Sequence, residues 1–324
     1  MKLSQIGEFG IIDIIKKSEP IRKDTILGIG DDCAAIEIPT SKSKFQTKYQ
    51  IQKNKHKKLL LITTDALVEN VHFKRRGLSY FALGQKALIA NISDIAAMGG
   101  IPTHAVITAG LPKDLDLESV KELYRGINSF AKAQSIDIVG GDTVASPKEI
   151  VISITLLGEV EKDLLITRSG AKIGDIICVT GKFGGPASEK FDSRKLKIEN
   201  RINESRLLAK SRIVTAMIDS SDGLVRSVLE LCKSSGVGAL IETSIIPTAK
   251  TASLDNALYG GEEYELVFTV PPKKLKGLPK RLNKFISIVG EIKPISFGMK
   301  LIDTDGKITQ PKGGYEHFRG REVG

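Results

Sequence analysis

Apolar residues recur at spacings of three and four through Tyr80–Met98, where Leu83, Ala87, Leu88, Ile92 and Ile95 fall near one face, and this predicts a helix. Gly99-Gly100 and then Pro102 stop it. A second helix is expected over Leu117–Gln134, and a short amphipathic one over residues 6–17 from Ile6, Phe9, Ile12 and Ile15. Strands are expected around Leu27–Ile38, interrupted by a Gly-Asp-Asp step, and over Leu59–Thr64, ending at Asp65. Further strands are expected over Thr103–Ala109, over Ile136–Val139, stopping at Gly140-Gly141-Asp142, and over Ile150–Val160.

Past residue 160 the pattern restarts. Ile176–Thr180 reads as a strand entering Gly181, and a helix is expected after Asn203 and on through Met217. Leu224–Lys233 should be a helix, and Val237–Glu242, Tyr264–Val270 and Phe285–Ile292 strands. Asp305-Gly306 marks a hairpin between Met299–Ile302 and Lys307–Thr309. Alternation of strand and helix makes the chain α/β (α+β), with two units expected over residues 1–160 and 161–324.

Composition narrows the class. The 324 residues are 41% hydrophobic and 27% charged, ordinary for a soluble globular protein, with no apolar run of membrane-spanning length and no signal-peptide pattern. A cytosolic protein is expected, with no membrane partner. Cys33, Cys178 and Cys232 are far apart and read as buried thiols rather than a disulfide or zinc set. The net charge of +10 reads mainly as a lysine-rich surface. Seven lysines between Lys42 and Lys58 form a basic stretch, but only Phe45 and Tyr49 could serve there as a stacking platform, so no nucleic-acid partner is expected.

Chemistry enters with the aspartates. Asp31 and Asp32, Asp65, Asp94, Asp142, Asp219 and Asp222 each lie in or beside an apolar or glycine-rich run. A carboxylate in such a place must be paired, hydrogen-bonded or metal-bound, and several that converge need cations. The set therefore points to a multi-magnesium site of the kind that holds phosphates. Strand alternation puts Thr63 and Asp65 on one side. Asn91 and Asp94 are neighbours on a helix, and Asp219 and Asp222 precede one, where free N–H groups favour an anion. Plainer roles compete: Asp222 as a helix N-cap, Asp142 as an Asx-turn residue, Asp31–Asp32 as a turn. P-loop, dinucleotide and protein-kinase motifs are missing from the chain, and its four histidines are isolated.

The ordered motifs Gly28-Ile-Gly-Asp-Asp-Cys-Ala, Thr63-Thr-Asp-Ala-Leu-Val with His72-Phe73, Lys86-Ala-Leu through Asp94 to Gly99, Gly140-Gly-Asp-Thr, Arg168-Ser-Gly-Ala-Lys, Ile218-Asp-Ser-Ser-Asp-Gly-Leu, Gly260-Gly-Glu-Glu-Tyr-Glu-Leu and Gly314-Tyr-Glu-His-Phe resemble the thiamine-monophosphate kinases. These belong to the wider aminoimidazole-ribonucleotide-synthetase-like ATP-binding superfamily. The resemblance runs from Gly7 to Phe318. It implies a two-domain architecture, an N-terminal sheet forming a homodimer, and ATP with Mg2+ in the cleft between domains. Carried over by motif, Asp32, Thr63, Thr64, Asp65, Asp94, Asp142, Asp219 and Asp222 would be metal ligands, with Asp94, Asp219 and Asp222 central to catalysis. Gly141, Asp142, Arg168 and Ser221 would meet the nucleotide, and His72, Glu262 and Tyr315 thiamine monophosphate. The implied reaction transfers a phosphoryl group from ATP to thiamine monophosphate. Alternatives are another enzyme of the superfamily, such as aminoimidazole-ribonucleotide synthetase, or a basic RNA-binding protein. The chain departs from the family in its long basic stretch, in the loop Gly181–Ala187, and in carrying Glu263 where an Asp is usual.

Overall fold

The computed structural model describes residues 3–15, 22–38, 57–75, 79–187 and 199–312, together with two short strands beyond them. Most of the basic stretch, residues 42–56, lies outside the described residues, as does the side chain of Tyr315. Helix α1 (Leu3–Ile15) is followed by β1 (Thr25–Leu27), β2 (Ala34–Glu37), β3 (Lys58–Val68), α2 (Tyr80–Ala97), β4 (Ile101–Pro112), α3 (Leu117–Ala133), β5 (Asp137–Ser146) and β6 (Val151–Glu161). These strands form one sheet in the order β1-β2-β3-β6-β4-β5.

The remainder comprises β7 (Ile176–Thr180), α4 (Ile202–Ser211), β8 (Ala216–Ser220), α5 (Leu224–Ser235), β9 (Gly238–Glu242), α6 (Leu254–Tyr259), β10 (Glu265–Val270), β11 (Ile286–Lys293), β12 (Met299–Ile302) and β13 (Ile308–Thr309). They form a seven-stranded sheet, β13-β12-β9-β11-β7-β10-β8. A two-stranded ribbon, β14 (Tyr315–Glu316) and β15 (Gly320–Arg321), completes the order.

Helix α2 is apolar nearly all round because it is buried nearly all round. It packs on β3 and β6 on one side and reaches α4 and β8 on the other. Its approach to α3 depends on two glycines. A Cβ on Gly84 would meet the Leu123 carbonyl oxygen at 2.1 Å, and one on Gly126 the Phe81 carbonyl oxygen at 2.0 Å. The C-terminal sheet is covered on both faces, so β10 reads as an unbroken buried run. Val267 joins the core under α5 and α6, while Leu266 and Phe268 face that of α4.

Three sequence expectations change. Helix α4 ends at Ser211, where Arg212 turns left-handed (φ 56°), and Met217 lies in β8 instead. The β-branched run Ile213-Val214-Thr215 disfavours helix, and pairing of β8 with β10 decides it. Asp65 is inside β3, which continues to Val68 against β6. Gly140-Gly141-Asp142 is no strand end but the middle of β5, parallel to β4. Gly141 is needed there because a Cβ would meet the Ile107 carbonyl oxygen at 1.9 Å.

Candidate active site

Alternation along β3 sends Leu59, Leu61, Thr63 and Leu67 to the face under α2, and Thr64 to the other face. Asp65 shares the Thr63 side. Its backbone N–H donates to Asn91 Oδ1 at 3.0 Å, while Asn91 Nδ2 returns to the Ala87 carbonyl at 3.2 Å. Asn91 is fully buried and ties β3 to α2. One turn on, Asp94 Oδ2 accepts from the Thr63 hydroxyl at 2.5 Å.

The second half of the chain meets this face through β8. Asp219, 4% exposed, accepts from Ser93 Oγ at 2.6 Å. Asp32 enters from the turn between β1 and β2. Arg168 Nε and Nη2 both reach Asp32 Oδ1, at 2.9 and 2.5 Å. Asp32 Oδ2 is buried without a hydrogen-bond partner. Asp31 is occupied by backbone: its carboxylate accepts from Asp32 N at 3.0 Å and Arg168 N at 3.2 Å.

Asp32, Asp94 and Asp219 bring one carboxylate oxygen each within 4.8 Å of one another. Three carboxylates so close cannot all be ionised without a cation. Burial, aided by Asp65, Asp219 and Asp32, pushes the Asp94 carboxyl well above its ordinary range. Burial and the Asp32 charge take Asp219 up to about 8. Burial raises Asp65, with Glu8 adding to it, and raises Asp32 against the pull of Arg168. Burial works against the Arg168 cation, but Asp32 outweighs it and raises its pKa. An all-oxygen donor set with an unpartnered buried oxygen suits a hard divalent ion such as Mg2+.

The expected ligands do not all meet at this point. Thr64 is exposed on the outer face of the N-terminal sheet, where its hydroxyl donates to the Ile154 carbonyl and accepts from Thr155 Oγ1, each at 3.1 Å. Asp142 is exposed on edge strand β5, opposite Thr108, and accepts from Thr143 N at 2.8 Å. Three strand spacings of about 4.8 Å put it roughly 14 Å from β3 in the same chain. Asp222 is not the N-cap of α5; Gly223 is, with φ 93° and no capping side chain. Ser221 is exposed beside it, its hydroxyl 3.3 Å from Asp222 Oδ2.

Of the residues expected at the acceptor, His72 and Glu262 sit beside the N-terminal half of α2, and the side chain of Tyr315 lies outside the described residues. His72 follows β3, and its Nδ1 accepts from Val68 N at 3.0 Å, so the neutral ring carries its proton on Nε2. Glu262 lies in a left-handed turn (φ 63°) with its N–H on the Ser221 carbonyl at 2.7 Å, and Tyr264 is left-handed too (φ 53°). Two non-glycine residues in that region store strain, as functional turns do. Lys86 bridges the two groups, donating to the His72 carbonyl at 3.0 Å and to Glu262 Oε1 at 2.5 Å. Two of the sequence departures touch: Gly184 N donates to Glu263 Oε1 at 2.9 Å. Sequence reading assigned no role to Lys86. Its signal was a lone lysine in a helix whose other charged residue is Asp94.

Family models match both halves of the chain. Residues 30–160 match the AIR synthase related protein N-terminal domain, and residues 174–295 the C-terminal domain of the same name. The thiamine-monophosphate kinase of Aquifex aeolicus is 33% identical, covering 98% of this chain and 100% of its own length. That of Bacillus subtilis is 31% identical over 97% of this chain and 100% of its own. The chain belongs to the thiamine-monophosphate kinase family. A solved structure described as AaThiL complexed with AMPPCP and TMP superposes with a TM-score of 0.78 at 31% identity, covering 98% of this chain and 99% of that one. Membership accounts for the two-sheet α/β fold. As expected, Cys33, Cys178 and Cys232 are free and buried. Among the described residues no helix is long and apolar enough to cross a membrane.

Proposed function

We propose that this protein phosphorylates thiamine monophosphate with ATP, giving thiamine diphosphate and ADP. The observation that carries the reading is the convergence of Asp32, Asp94 and Asp219, drawn from both halves of a chain that aligns end to end with thiamine-monophosphate kinases. The related structure carries AMPPCP, a non-transferring ATP analogue, together with TMP, which fits the same pair of substrates. Residues 1–160 act as one domain and residues 161–324 as the other, with the substrates between them. A cytoplasmic site of action accords with the reaction.

The acceptor is a phosphate oxygen. A phosphomonoester has its second pKa near 6, so it is largely ionised at pH 7 and needs no strong base. The obstacle is repulsion between anions: two unit charges at 4 Å cost about 4 kcal/mol at an effective dielectric of about 20. Asp32, Asp94 and Asp219 would hold Mg2+, and the bound ion would supply the charge that offsets this repulsion. Thr63 and Ser93 hold the Asp94 and Asp219 carboxylates in place through their hydroxyls. Asp65, beside Asp94, and Asp222, just ahead of α5, would complete the acidic set. Arg168 contributes a permanent cation toward the nucleotide phosphates, and Ser221 with the uncapped start of α5 offers further donors. His72, Glu262 and Tyr315 take the thiamine portion, His72 through Nε2–H and Glu262 through its carboxylate.

Gly141, Asp142 and Thr64 have a different place. They share the exposed outer face and edge of the N-terminal sheet with Val106 and Val144, which are 41% and 48% exposed. A homodimer through this face covers those valines and gives Thr64 and Asp142 a second copy to act against.

The test is phosphorus NMR of the purified protein with ATP, magnesium and thiamine monophosphate. Diphosphate resonances of thiamine diphosphate should appear together with ADP. Absence of both signals at saturating substrates would remove the assignment.

A further inference from the structure

Burying a lysine ammonium is costly unless its N–H groups find acceptors. Only 14% of the Lys86 side chain is exposed, and two of its three N–H donors are engaged by groups far apart in sequence. One is the backbone carbonyl of His72, on the turn after β3. The other is the carboxylate of Glu262, between α6 and β10. The backbones of both are held independently: His72 N donates to the Val68 carbonyl at 2.9 Å, and Glu262 N to the Ser221 carbonyl at 2.7 Å. The Glu262 side chain is different. It is 39% exposed, so burial does not fix its direction, and the ion pair with Lys86 does.

Position along the helix gives this contact a purpose. Lys86 and Asp94 are eight residues apart on α2, roughly 12 Å along its axis. That span suits an acceptor with a ring at one end and a phosphate at the other. The ring end falls at Lys86, His72 and Glu262, and the phosphate end at Asp94 and Asp219.

We propose that Lys86 is a positioning residue of the acceptor pocket: anchored on the His72 carbonyl, it holds the Glu262 carboxylate at one point on α2, so that both halves of the chain meet the ring of thiamine monophosphate in fixed register. The inference rests on the function proposed above. Lys86 acts through Glu262, and the metal cluster does not depend on it. Its loss therefore changes acceptor binding more than nucleotide binding.

The experiment is steady-state kinetics of the full chain, varying thiamine monophosphate at saturating Mg-ATP and then the reverse. Lys86→Met removes the charge and keeps the reach. The KM for thiamine monophosphate should rise about tenfold or more, the loss of a charge-assisted hydrogen bond, while the KM for ATP stays within about twofold. Lys86→Arg should recover part of the loss. Glu262→Gln should resemble Lys86→Met, and the double variant should be no worse than the worse single one, because both break the same contact. An unchanged KM for thiamine monophosphate, or an equal rise in both constants, overturns the proposal. If Lys86→Met does not fold, the Lys86→Arg and Lys86→Gln constants decide by the same split. Wild-type protein without turnover on thiamine monophosphate would strike the proposed function and the pin with it. Active wild type with normal variant kinetics would strike the pin alone.

Discussion

Arg168 directs both Nε and Nη2 at a single oxygen of Asp32, Oδ1, and leaves Oδ2 of that carboxylate buried with no partner. A side-on bidentate pair would have satisfied both oxygens. The one-oxygen arrangement neutralises Asp32 and still leaves a lone-pair donor toward Asp94 and Asp219.

Removing the guanidinium should therefore strand a buried charge. Arg168→Met should lower the stability of metal-free protein by about 2–4 kcal/mol, and saturating magnesium should recover part of it. Chemical denaturation with and without magnesium measures both. A variant as stable as wild type in the absence of metal would show that Asp32 is not ionised in the folded chain.

Asp94→Asn keeps the shape and the Thr63 contact but removes a charge from the centre of the cluster. Turnover should fall about 100-fold or more while the melting temperature holds or rises, because a raised buried carboxyl destabilises the fold. Titration calorimetry should show weaker magnesium binding. Near-normal rates at saturating magnesium would exclude Asp94 from the metal set.

Stability should depend on pH in a definite direction. Burial takes Asp219 up to about 8 and Glu263 up to about 7. Between about 4, where these groups titrate in the unfolded chain, and those values, the folded chain binds more protons than the unfolded one. Stability then falls as pH rises through that window. Metal-free protein should melt at a lower temperature at pH 8 than at pH 5, and magnesium should flatten the slope. Glu263→Gln should match wild type near pH 5 and exceed it at pH 8. A pH-independent melting temperature for metal-free protein would contradict these shifts.

The packing of α2 on α3 gives a prediction about the scaffold. Gly126→Ala sets a methyl group against the Phe81 carbonyl oxygen at 2.0 Å and should cost about 2–4 kcal/mol or prevent folding. Gly140→Ala, whose nearest neighbour would be Val106 Cγ1 at 3.9 Å, should cost less than about 1 kcal/mol. Comparable denaturation midpoints for the two variants would mean that the helices can separate without loss.

By itself the sequence determined what is local: the 3.6-residue period of α2, the period of two that joins Thr63 to Asp65, the hairpin at Asp305-Gly306, and the motif set that marks the family. These properties are written in neighbouring residues, so one chain suffices to read them. It could not place Met217, whose strand depends on a partner that arrives with β10. Tertiary structure decided which acids converge. Sheet order carries Asp142 three strands away from β3, and the pleat turns Thr64 outward, whereas the contact of β8 with α2 brings Asp219 to Ser93. Lys86 is the same case. Its two acceptors come from opposite halves of the chain, and only packing α2 between the two sheets places them within reach of one ammonium group.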